Sequence, residues 1–207
     1  MKIPLLIGVA LLSCTAAIAA PVEKIKNENA IAQEETLRPG EKESAGGGFS
    51  SAIVFLSDGS VEATAAGKAT TRAVKRGDVI FREAKEGVLR AAGTAPVRFV
   101  RIEFPKGGDD FVWGTKGFAP DYKLLIENRH VRIYDIHIAA GSSEPQHTHR
   151  DRVVVCLSGA TLRHVFPDGS QENSSIATDD CLWRKGSTHV GNNIGATPLW
   201  VIAIEPK

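Results

Sequence analysis

Two histidines stand two residues apart in Gly141-Ser-Ser-Glu-Pro-Gln-His147-Thr-His149, and a third follows in Gly186-Ser-Thr-His189-Val-Gly-Asn-Asn193. In an extended strand, residues i and i+2 project to one face, so His147 and His149 can grip one ion from one side. His189 offers a third imidazole after a glycine turn. Three converging imidazoles with open positions suit one divalent transition metal: Fe, Mn, Ni, Cu or Zn. All six histidines lie from His130 onward, so any such chemistry belongs to the second half of the chain. Asp151 extends the spacing to i, i+2, i+4. It completes a two-histidine, one-carboxylate set if the strand stays extended, and faces solvent if the chain turns there. His130, His137 and His164 sit in strand-like runs and read as ordinary packed or surface residues. Asp135 and Glu144 are close in sequence, but nothing orients them toward an ion.

Short strands must position these groups. Ala52-Ile-Val-Phe-Leu56 meets Asp58-Gly59, Asp78-Val-Ile-Phe81 follows Gly77, and Val97-Arg-Phe-Val-Arg-Ile-Glu-Phe104 precedes Pro105. Short apolar runs with turn signals at this spacing predict an all-β sandwich or barrel. The order then repeats. Asp-Val-Ile-Phe-Arg at 78–82 aligns with Asp-Cys-Leu-Trp-Arg at 180–184, and Gly93, Pro96, Ile102 and Glu103 align with Gly195, Pro198, Ile204 and Glu205. Two homologous units follow from this, over 20–108 and 121–207. At that offset Gly87 stands opposite His189, so the first unit has no histidine site. Residues 109–120 form the linker, rich in glycine but carrying Phe111, Trp113 and Phe118, which are expected to pack into the seam between the units.

The chain has 207 residues, with 25 basic and 24 acidic side chains, and lacks a basic stripe with interleaved aromatics, which argues against a nucleic-acid partner. No glycine-rich phosphate loop or nucleophile-elbow serine is present. Residues 1–19 join one lysine to an apolar run ending in Ala17-Ile-Ala19, the pattern of an export signal too short for a stable membrane span. A periplasmic or secreted protein is therefore expected. Leu11-Leu-Ser-Cys14 loosely resembles a lipoprotein box, making lipidation at Cys14 the secondary reading.

The two histidine segments resemble the paired motifs of the cupin superfamily. Gly141, His147, His149 and Gly159 match the first motif, and Gly186, His189 and Asn193 match the second. The resemblance covers 121–207 and implies a small antiparallel jelly-roll β-barrel. With the internal repeat, it implies two tandem barrels, a bicupin with a degenerate first half. The wording also looks like a group of exported bacterial cupins. The family's glutamate is missing: Arg152 takes its place, or Val153 by the other count. The second motif's opening glycine and its proline are replaced by Thr178 and Arg184. An inward Arg152 would oppose a nearby dication and attract an anionic substrate. In the cupin barrel the strands carrying Cys156 and Cys181 are neighbours, which suggests a cross-strand disulfide; the alternative is two buried thiols. Related cupins with three histidines and no glutamate imply an oxygenase acting on a small chelating acid. The contrasting expectation is a non-catalytic binding or structural module.

Overall fold

The computed structural model describes residues 20–65, 68–108 and 121–207. The expectations for the export signal, Cys14, and the linker aromatics Phe111, Trp113 and Phe118 lie outside the described residues. Among the described residues seventeen strands are formed and no helix, an all-β fold. The first half holds β1 (Val22–Lys26), β2 (Ile31–Leu37), β3 (Ser51–Phe55), β4 (Gly59–Ala65), β5 (Lys68–Val74), β6 (Val79–Arg82), β7 (Leu89–Ala91) and β8 (Val97–Glu103). The second holds β9 (Tyr122–Glu127), β10 (Val131–Ile138), β11 (His147–His149), β12 (Arg152–Ser158), β13 (Ala160–Val165), β14 (Gln171–Ile176), β15 (Cys181–Arg184), β16 (Ser187–Asn193) and β17 (Leu199–Pro206).

Among the described residues no sheet mixes the halves. The first half folds as a five-stranded sheet, β1-β2-β8-β3-β6, facing a three-stranded one, β5-β4-β7. The second folds as β15-β12-β17-β10-β9 facing β11-β16-β13-β14. The repeat is visible in the pairing. β8 and β17 take equivalent inner places in their sheets, and Ile102 lies beside Ala52 as Ile204 lies beside Val153.

Alternation explains how one strand serves two cores. On β12, Val154 and Cys156 face the barrel interior with Ile136, Ile138 and Val201. Val153 and Val155 face outward, into a core shared with Val54, Val100 and Ile102 of the first half. The two five-stranded sheets are thus apolar on both faces and pack back to back. Residues of period two that are apolar on both faces are what a doubly buried strand requires. At the margin of this seam, Arg76 donates to the Leu157 carbonyl and to Asp179 (2.8 and 2.6 Å), and Arg98 also reaches Asp179 (3.0 Å). His130 contacts Glu83 (3.0 Å) and stacks on Phe81.

The cysteine expectation is corrected here. Cys181 pairs in register with Val155, not with Cys156. Cys156 therefore points to the opposite face, since a one-residue step along a strand reverses the side chain. Cys156 lies in the barrel interior and Cys181 in the seam. Both are free thiols. Burial pushes Cys156 up to about 11 and Cys181 up to about 12, which keeps them protonated and inert.

Candidate metal centre

The two histidine segments become adjacent strands of the smaller sheet. β11 pairs antiparallel with β16, so that His147 lies directly across from His189 and His149 from Ser187. Gly141, at φ 74°, turns the chain into this region, and its N–H donates to the Asn193 carbonyl (2.9 Å). Asn193 is fully enclosed: its amide nitrogen donates to the Ile138 and Thr197 carbonyls (3.1 and 2.9 Å), and its oxygen accepts from Gly195 N–H (3.1 Å). It fixes the end of β16 and is not a ligand.

His147, His149 and His189 are all buried, and one nitrogen from each falls within 4.8 Å of the others. The Nε2 atoms of His147 and His149 are 2.9 Å apart. The outward nitrogen of His147 fixes its ring, because Nδ1 lies 2.8 Å from the Pro145 carbonyl and must donate to it. That leaves the Nε2 lone pair facing inward. His189 Nδ1 rests on Ser187 Oγ (3.0 Å), and His149 Nδ1 faces the buried Glu205 carboxylate at 3.9 Å. Burial holds all three imidazoles below their ordinary pKa, His149 at about 2 and His189 at about 3, with Arg152 opposing further protonation. Neutral rings with crowded inward lone pairs, each buttressed from behind, are the donor set that a transition-metal ion satisfies. Among the described residues this is the one such group.

The centre opens on a cavity of about 280 Å³ whose lining comes entirely from the second half. The first barrel contributes nothing to it among the described residues. Ile136, Ile138, Leu162, Leu199 and Val201 make it apolar, while Arg152 and Arg184 bring positive charge. Arg152 does face inward. It shares the face of Val154 and Cys156, is 9% exposed, and donates to the carbonyls of Arg150 and Lys185 (3.3 Å each). Burial pulls its pKa down, while Tyr122 and Glu205 support the charge.

Asp151 takes the second of its two alternatives, the turn rather than the extended strand. β11 ends at His149 and β12 starts at Arg152, so Asp151 occupies the turn between them. Its carboxylate is engaged by Lys185 Nζ and Gly186 N–H, both at 2.8 Å, on the solvent side. Three residues go beyond the sequence reading. His164, expected to be ordinary, lines the cavity with its ring 4.5 Å from that of His189. Glu144, expected to be unoriented, is 4% exposed and lines the same cavity. Burial pushes it up to about 7, with Asp121 adding to the rise. Tyr122, at the start of β9, places its hydroxyl 3.2 Å from His147 Nε2 and 3.1 Å from His149 Nε2.

The first barrel repeats the loop without the chemistry. Gly40 N–H donates to the Ala91 carbonyl and Glu43 N–H to Leu89, as Gly141 does to Asn193 and Glu144 to Gly191. Glu43 is therefore the counterpart of Glu144. It is bonded by Arg82 and by Leu89 N–H (2.6 Å), with Arg101 at 3.5 Å, and Arg101 also pairs with Glu35 at 2.9 Å. This charge network stands in the first barrel where the second barrel carries Glu144 at its cavity.

Solved structures share this architecture. The cupin 2 conserved barrel domain protein from Leptotrichia buccalis is 14% identical, over 93% of this chain and 92% of its own, with a TM-score of 0.59. An IolB-like protein from Salmonella typhimurium LT2 is 12% identical, over 94% of this chain and 91% of its own, at 0.65. A Bacillus subtilis oxalate decarboxylase described with Mn(II) centres is 14% identical, over 89% of this chain and 74% of its own, at 0.57. No family model matches the chain, and no curated protein matches it. The fold is the cupin fold, in two tandem barrels.

Proposed function

We propose that this chain is an exported metal-binding cupin, with one divalent transition metal held by His147, His149 and His189. The observation that carries the reading is the 2.9 Å approach of two buried, neutral Nε2 atoms beside a third imidazole. The Mn(II) centres of the oxalate decarboxylase neighbour add support from a shared fold. A bound dication would supply Lewis acidity toward a chelating anion and, for a redox metal, electron transfer. Arg152 serves as the anion clamp at the same cavity, and the aliphatic walls exclude water from the ligand body. An oxygenase acting on a small chelating acid is the reaction class that this arrangement suits.

One observation favours the second reading, a non-catalytic binding module. The buried Arg152 guanidinium faces the interior and opposes a dication there. Metal analysis by plasma mass spectrometry, on protein purified without chelator or nickel resin, tests the common ground. One equivalent in the wild type, lost in His147→Ala/His189→Ala with the fold retained, is expected. Absence of metal after reconstitution would overturn the metal reading. Oxygen uptake with small chelating acids then separates enzyme from binding module. Cleavage after Ala19, read by N-terminal sequencing of exported protein, tests the localisation.

A further inference from the structure

The centre has no carboxylate where the first motif would carry one, yet another oxygen stands beside the histidine nitrogens. Two ligand atoms each about 2.1 Å from one ion lie roughly 3.0 Å apart at a right angle and about 3.4 Å apart at the tetrahedral angle. The His147–His149 nitrogen separation is 2.9 Å, and the Tyr122 oxygen stands 3.2 and 3.1 Å from those nitrogens. All three separations are those of neighbouring ligands on one ion. The tyrosine ring is held there by packing, stacked on His149 at 5.7 Å and edge-on to His147 at 5.5 Å. A second observation points the same way. Glu144, which interacts with the Tyr122 hydroxyl, is 4% exposed and its Oε1 has no hydrogen-bond partner. Its counterpart Glu43 pairs with Arg82 and Arg101, whereas Glu144 lines the cavity.

Resting on the three-histidine reading, we propose that the Tyr122 oxygen is the fourth protein ligand of the metal, with Glu144 behind it. Bound there, the Tyr122 oxygen would take the place in the donor set that the missing glutamate would have filled.

The test uses the full chain, loaded with ferrous iron without oxygen and then oxidised with ferricyanide. A tyrosine oxygen on ferric iron gives a visible charge-transfer band and enhances tyrosine ring modes in resonance Raman. The chain has only two tyrosines, Tyr122 and Tyr134. The expected result is a coloured wild type and Tyr134→Phe, with Tyr122→Phe colourless at the same iron stoichiometry. Wild-type protein that binds one equivalent of iron with no band or ring modes overturns the ligand assignment and leaves the three-histidine site standing. A band that persists in Tyr122→Phe does the same. No bound iron overturns the ligand assignment, and no bound Fe, Mn, Ni, Cu or Zn after reconstitution overturns the three-histidine site as well. The wild-type Raman spectrum decides the matter even if Tyr122→Phe fails to fold.

Discussion

The tautomer of His147 is set from outside the site, by one carbonyl that can only accept. Local spacing found the three histidines because β11 and β16 are regular and their motif residues are short-range. Tyr122 carries no such signal: it reaches the centre through the pairing of β9 with β10, and no spacing in the sequence encodes that. Glu144 was missed; the signal that could have pointed to it is the spacing Gly40-to-Glu43 repeated as Gly141-to-Glu144. Its protonation makes a prediction. Folded Glu144 keeps its proton up to about 7, whereas the ordinary glutamate value is 4.5. Between those values the folded state binds more protons, so stability falls as pH rises through that window. In metal-free protein, Glu144→Gln should therefore melt above wild type at about pH 8, and the gap should narrow toward about pH 5 in thermal scans. A constant gap would show that the carboxyl is not buried as described. The imidazoles run the other way. Held near 2 and 3 against 6.5 unfolded, His149 and His189 contribute stability that is present above 6.5 and lost as pH falls below it. Arg152→Gln should weaken binding of a small carboxylate about tenfold or more while metal stoichiometry is unchanged, measured by calorimetry on loaded protein. Equal affinity would remove Arg152 from the anion site.

At the scale of elements, face parity decides what proximity cannot. β12 and β15 are neighbours, as the resemblance implied, but Cys181 sits opposite Val155. Side-chain direction depends on register, and a register cannot be read from two cysteines alone. Intact mass under non-reducing conditions should therefore show two free thiols, with alkylation slow in native protein and complete after denaturation. A mass two hydrogens lower would contradict the pairing. The same parity protects the centre. A one-residue slip of β11 against β16 would turn His147 and His149 away from His189. The turn at 150–151, closed by Asp151 on Gly186 and Lys185, guards against that slip. Asp151→Ala should thus lower metal affinity without removing a ligand. Unaltered affinity, with unaltered stability, would show the turn to be self-sufficient.

In the whole molecule, the doubly apolar sheets join the barrels through Val100, Ile102, Val153 and Ile204, all fully buried. Ile102→Ala should cost about 2–5 kcal/mol and destabilise both halves together, since one core serves both. Two separate transitions in calorimetry would instead show independent barrels. The repeat that made two units legible could not reveal the charge network of the first, because Glu35, Glu43, Arg82 and Arg101 come from separate strands and loops. That network has a consequence for anyone who would give the first barrel the same site. Writing three histidines into the first barrel would not recreate the second. The interlocked arginines and glutamates would have to be dismantled first, and each one removed alone would strand a charge in the dry interior. That change is therefore closed to single substitutions, and the two barrels cannot exchange roles one residue at a time.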